Sequence, residues 1–153
     1  MNHRKFLIVM AAVIGILAVR CGSNTNQSTS TKTDTTASAT TDKGVGKFTN
    51  VTLTHPLDQA MASKGEAIYT ATCSACHKVT DEKLVGPGWK GVTDRRTPEW
   101  IMNFITNTSV MLDKDLIAQK EMVTCVVRMP SQNLSDDQAR AMLEFMRKND
   151  DKN

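Results

Sequence analysis

Thr72-Cys73-Ser74-Ala75-Cys76-His77-Lys78 is the stretch on which the reading of this chain turns. Two cysteines stand three positions apart with a histidine directly after the second, the C-x-x-C-H pattern that attaches a haem covalently. The spacing has a geometric reason. If residues 66–77 are helical, about 3.6 residues per turn bring Cys73, Cys76 and His77 within about 100° of one another on one face. One face meets one haem edge, so that two thiols add to two vinyl groups as thioethers while the imidazole reaches the iron from the proximal side. Such a group points first to the movement of single electrons.

Other uses of these residues fit the pattern less well. A thioredoxin-type C-x-x-C needs a strand, a turn and a helix around it, and no βαβ pattern is visible. A zinc site recruiting Cys73, Cys76, His77 and Cys125 suffers because Cys76 and His77 are adjacent and do not both easily reach one tetrahedral ion. A Cys73–Cys76 disulfide closes a short, strained loop and leaves His77 unexplained. The haem pattern uses all three residues.

From about residue 60 to 149 the chain resembles the class I c-type cytochromes. Gly65-Glu66-Ala67-Ile68-Tyr69 looks like their first helix, and Val85-Gly86-Pro87-Gly88-Trp89-Lys90-Gly91-Val92 like the Gly-Pro loop after the haem motif. Thr97-Pro98-Glu99-Trp100-Ile101 resembles the start of the middle helix, and Arg128-Met129-Pro130 the methionine loop. The resemblance implies an all-α class I cytochrome c fold, with helices wrapped around one covalent haem c. It implies Cys73 and Cys76 as attachment points, His77 as one axial ligand, and a Pro87 carbonyl that accepts the imidazole N–H and fixes its orientation. Gly65 and Phe145 match the small and aromatic residues at which first and last helices cross, with Tyr69 one turn along.

The second axial ligand is chosen among nine methionines and two spare histidines. Met129 is the expectation, because it precedes Pro130 where the family carries its distal ligand; Met111, Met122, His55 or an open site remain the rivals. Met102, Met142 and Met146 lie on apolar helix faces that explain them as core. His/Met ligation saturates the iron and raises its potential, which suits an electron carrier rather than an enzyme. An open distal site would instead suit gas binding, sensing or peroxidase-like chemistry. Trp89 serves either against the haem or as plain core. Cys125, in a short apolar run, reads by default as a small buried residue, with a reactive thiol or an intermolecular disulfide as alternatives.

Ahead of this domain the chain changes character. Met1-Asn2-His3-Arg4-Lys5 is a basic start, and Phe6–Val19 is an apolar run of about 14 residues, shorter than the roughly 20 that span a bilayer. Residues 1–20 therefore read as a signal peptide. Cys21, before Gly22-Ser23, resembles the lipidated cysteine of bacterial lipoproteins, although Arg20 stands where a small residue is usual. Residues 21–47 are Ser/Thr-rich and poor in large apolar side chains, a flexible tether with a root-mean-square reach of roughly 30 Å. The same composition permits a glycosylated stalk. Residues 48–153 form the cytochrome c domain.

Loss of Arg4, Lys5 and Arg20 with the signal leaves the 19 basic residues at 16, against 16 acidic ones. That balance gives no electrostatic footprint for nucleic acid. The expected setting is the periplasmic side of a bacterial membrane, in a respiratory chain. A quinol-oxidising complex is the expected donor and a terminal oxidase or nitrogen-oxide reductase the expected acceptor, and the family resemblance implies that they dock at an exposed haem edge.

The local pattern predicts four helices and no good strand. The first runs from Pro56 or Leu57 to about Cys73. Thr97 caps a second with Pro98 at its first position and Trp100, Ile101, Phe104 and Ile105 as an inward stripe. A third covers Asp113 or Lys114 to about Met122. The last starts at a Ser135/Gln138 capping box and carries Ala139, Met142, Leu143 and Met146 at helical spacing, with Arg147 and Lys148 suited to its C-terminal end. With aromatics only 5% of the chain, the haem supplies core volume, and the haem-free chain is expected to fold poorly.

Overall fold

The computed structural model describes residues 42–153. The expected signal segment, Cys21 and most of the Ser/Thr-rich stretch lie outside the described residues. Helices and loops make up the described part, with no strand in it, and no described helix is long and apolar enough to cross a membrane.

Helix α1 (Gln59–Ile68) begins where the Asp58 carboxylate accepts the Met61 N–H at 2.9 Å. The apolar pattern had placed the start at Pro56 or Leu57. A capping side chain that satisfies an end donor sets the boundary instead. At its other end the helix widens into a π turn, Tyr69–Cys73, in which the Ser74 N–H donates five residues back to Tyr69 O at 2.9 Å. The helix therefore ends at about Cys73, as expected, but with a π turn as its last turn, and it does not continue through His77. Cys76 and His77 instead both donate to Cys73 O, at 3.0 and 2.9 Å, which keeps the three motif residues in one tight turn.

The last helix, designated α6 (Asp136–Asn149), has the expected capping box: Gln138 N–H donates to Ser135 Oγ at 3.3 Å and Ser135 N–H to Gln138 Oε1 at 2.9 Å. Ala139, Met142, Leu143 and Met146 are all buried. α1 crosses α6 at Gly65, where an added Cβ would lie 2.1 Å from Ala141 O and 2.7 Å from Phe145 Cβ. Tyr69 stands 5.3 Å from the Phe145 ring. The expected small-against-aromatic crossing is present, and it is close enough to demand glycine.

Between these helices lie α2 (Val92–Arg95), α3 (Pro98–Thr106), α4 (Thr108–Lys114) and α5 (Leu116–Met122). Thr97 caps α3 by accepting the Trp100 N–H at 3.2 Å, with Pro98 in the first turn. Trp100, Ile101 and Ile105 are buried and Phe104 partly so. The helix expected from Asp113 or Lys114 to about Met122 starts at Leu116, and a further helix that the pattern did not predict, α4, precedes it, divided from it at Asp115. That residue is fully buried, and its carboxylate accepts the Ala118 N–H at 2.8 Å and the Trp100 indole N–H at 3.2 Å. A side chain recruited to cap one helix and hold the indole of another outweighs helical continuity.

A strap formed by residues 42–54 lies against α3 and α6. Asn103, almost wholly buried, accepts the Phe48 N–H at 2.9 Å and donates to Lys43 O and Phe48 O. Glu99 accepts the Val51 N–H at 2.9 Å. At the other helix Arg147 donates to Thr54 O and Arg140 to Thr52 O. Arg147 does more than favour the helix end: it is buried and pairs with the fully buried Glu144 at 2.7 Å, with Arg140 also bonded to that carboxylate.

Candidate haem site

The turn after α1, the loop that follows it, and the segment between α5 and α6 converge on a cavity of about 240 Å³. Cys73, Cys76 and His77 line one side of it, with Pro87 and Trp89, and Met129 lines it as well. All the motif-derived site residues within the described chain therefore share one cavity, and Cys21 lies outside the described residues. The remaining walls are largely aliphatic and aromatic, with Ile101, Phe104, Ile105 and Leu112 among them.

His77 is held from several directions. Its Nδ1 lies 2.8 Å from Pro87 O. A carbonyl oxygen only accepts, so Nδ1 carries the proton and the Nε2 lone pair is left for a metal. The His77 N–H is taken by Cys73 O, and its carbonyl accepts the Tyr69 hydroxyl at 2.8 Å. The imidazole stands 5.4 Å from the Trp89 ring, and the Tyr69 ring lies 5.1 Å from that same Trp89 ring. Trp89 thus lines the cavity and packs against the histidine. Tyr69 had been read as packing alone; its hydroxyl is a further support of the site.

The Gly-Pro loop owes its glycine to this proximity. A Cβ on Gly86 would fall 2.4 Å from His77 Cε1. Any side chain there would drive the loop off the imidazole and lengthen the Pro87 hydrogen bond.

Cys73, Cys76 and Cys125 are not in disulfides. Burial, reinforced by the neighbouring Cys76, pushes the Cys73 thiol up to about 11, so it is a neutral thiol near neutral pH. Cys125 is half-buried on the wall of the same cavity, with Sγ 3.6 Å from Glu121 O.

Geometry sets two of the rivals, Met111 and His55, apart from the cavity. Met111 is fully buried away from the cavity, and its sulfur accepts the Val45 N–H at 3.0 Å. His55 is on the surface with Nδ1 2.6 Å from Asn153 O. Met122, Met129 and Met146 line the cavity. Met122 and Met146 do so from helices α5 and α6, whereas Met129 comes from a loop tied to α4 by Arg128, which bonds Asp113 at 2.7 Å and Ser109 O at 3.2 Å.

The cavity also suits a haem's acidic edge. Arg95 and Arg96 both line it, and the Arg96 Nε is buried with no hydrogen-bond partner among the described residues. The Arg96 guanidinium lies 5.1 Å over the Trp100 ring and bonds Glu121. An apolar slot with an imidazole nitrogen, a thioether sulfur, two thiols and an unmatched guanidinium donor fits an iron porphyrin with carboxylate substituents.

The cytochrome c family model matches residues 62–150. The chain belongs to that family. Among solved structures it is similar to the cytochrome c from Rhodothermus marinus, with 32% identity and a TM-score of 0.69 over 74% of this chain and 97% of that one. An engineered form of that cytochrome matches with a TM-score of 0.68, and an engineered form bound to a carbene intermediate with 0.66, both at 32% identity and the same coverage. No curated protein matches the chain. Family membership makes the cofactor a covalently bound haem c, the fold that of an all-α class I cytochrome c, and the general activity that of a haem c electron carrier.

Proposed function

We propose that this cytochrome is a monohaem one-electron carrier of a bacterial respiratory chain, held by a lipidated Cys21 at the periplasmic side of the membrane. Cys73 and Cys76 carry the thioethers, His77 and Met129 take the axial positions, Pro87 fixes the imidazole and Trp89 backs it. The haem, when bound, supplies the one-electron iron couple. This chain's residues hold the imidazole in one tautomer, would offer a soft thioether to the same iron, and surround both with largely apolar walls. A quinol-oxidising complex donates the electron, and a terminal oxidase or nitrogen-oxide reductase accepts it.

The observation that carries this reading is the presence of His77 and the loop methionine Met129 on one apolar cavity. A saturated iron has no position left for oxygen or peroxide, whereas an open one would favour gas binding. Exposed Val127 lines the cavity, and exposed Leu84 and Val126 adjoin its lining residues Val85 and Cys125 in the chain, with Val126 N–H donating to Val85 O at 3.4 Å. Apolar surface beside a haem edge suits brief encounters with redox proteins.

Absorption spectra of the exported protein and of Met129→Ala test the ligand set. The ferric methionine-to-iron charge-transfer band should vanish in the variant and carbon monoxide should bind its ferrous form readily; a band that persists rules out Met129. Fractionation tests the anchor, since Cys21→Ser should move the protein from membranes to the soluble fraction.

A further inference from the structure

We propose that Asp150 is a positioning residue for the axial imidazole, acting through the Gly-Pro loop; this rests on the reading of His77 as an iron ligand. Asp150 follows the last residue of α6 and is 7% exposed. A carboxylate at a helix C-terminus faces the negative end of the helix dipole, so its burial there needs compensating donors. Three are supplied by one segment. Gly91 N–H donates to Oδ1 at 2.6 Å, and Thr93 N–H and Thr93 hydroxyl both donate to Oδ2 at 2.8 Å.

The neighbouring Asn149 grips the other limb of the same loop, its side-chain amide donating to Val79 O at 2.9 Å. The limbs are joined to each other where Trp89 N–H meets Lys78 O at 2.9 Å and Lys90 N–H meets Thr80 O at 3.2 Å. Pro87 lies in the bend between them, with its carbonyl on His77 Nδ1. The imidazole itself is placed by α1, which is seated on α6 at Gly65. The histidine and its acceptor are therefore both referred to α6, the first through a helix crossing and the second through Asp150 and Asn149.

Loss of the carboxylate strips acceptors from two backbone N–H groups and a hydroxyl, and releases the returning limb of the loop. The Pro87 carbonyl then draws back from Nδ1. A weaker bond at Nδ1 makes the imidazole a poorer donor to iron, which disfavours the ferric state and raises the reduction potential.

The test compares the mature holoprotein with Asp150→Ala, Asp150→Asn and, as a control, Met142→Ala, a core truncation away from the cavity. Redox titration, solvent exchange of the His77 Nδ1 proton and thermal unfolding are measured on each. Asp150→Ala should raise the potential and speed Nδ1 proton exchange about tenfold, the factor set by roughly one hydrogen bond. Asp150→Asn, which keeps one acceptor oxygen, should fall between, and it serves alone if the alanine variant does not fold. Met142→Ala should lower Tm and leave both site readouts at wild-type values. If the Asp150 variants lose Tm with unchanged potential and unchanged exchange, the carboxylate is a staple only and the proposal is wrong. A wild-type protein whose His77 proton shows no paramagnetic shift would instead remove the ligand reading, and this proposal with it.

Discussion

Gly65→Ala isolates the helix crossing on which the site is built. Taken alone, alanine in place of a mid-helix glycine favours the helix by about 1 kcal/mol. The crossing opposes that gain. The new Cβ would sit 2.1 Å from Ala141 O, 2.7 Å from Ala141 C and 2.7 Å from Phe145 Cβ, where ordinary contact begins at 3.4 Å. The nearest obstacle is backbone, which no rotamer change removes, so α1 and α6 must move apart by roughly an ångström and loosen contacts along their length. Overpacking of this kind costs about 1–3 kcal/mol or somewhat more, and the loss of close packing between the helices adds to it. The clash therefore wins, with a net destabilisation of about 2 kcal/mol and a fall in Tm of roughly 10 °C for a domain of this size. Thermal unfolding followed by circular dichroism on the holoprotein reads it directly, with Lys64→Ala at the exposed neighbouring position as the propensity control. Gly65→Ala melting at or above the wild-type temperature would refute the close crossing.

Removing the buried carboxylate with Glu144→Ala leaves Arg147 almost without solvent and without its ion partner, at a cost of about 3–5 kcal/mol in urea unfolding. Lys148→Ala, which breaks an exposed pair with Glu66, should by contrast change stability by less than about 1 kcal/mol. The double variant Cys73→Ala/Cys76→Ala, unable to form thioethers, should yield a polypeptide without covalent haem mass and with much of its far-ultraviolet helical signal lost; native helicity in that variant would show that the core does not depend on the cofactor.

Some of the architecture was legible because it depends on neighbours in sequence. Ser135 and Gln138 are three residues apart, and the capping box they form needs nothing from the rest of the chain. The same holds for Thr97 with Pro98, and for the apolar stripes of α3 and α6. Boundaries set from a distance were missed. Asp115 divides α4 from α5 because Trp100, fifteen residues earlier, brings its indole to the carboxylate, and no periodicity reports that. Asn103 and Glu99 looked like ordinary polar residues of a helix, yet they fasten residues 43–51 of the strap. Glu144 and Arg147 fit an exposed face by composition and are buried because the strap covers them.

The site divides along the same line. C-x-x-C-H is a covalent spacing, so Cys73, Cys76 and His77 announced a haem from their order alone, and Pro87 and Met129 followed from resemblance to relatives. Which methionines can face that haem was a different question, because Met111, Met122 and Met129 are chemically alike. Val45 N–H occupies the sulfur of Met111, while Met122 and Met129 both stand on the cavity wall. Tyr69, Arg96, Cys125 and Asp150 likewise acquire their places only when distant segments meet. Linear order determined what chemistry the chain carries, since spacing and capping act over a few bonds. Tertiary structure decided which like groups reach the cavity and how firmly they are held, because burial and hydrogen bonding between remote residues exist only after the chain has closed.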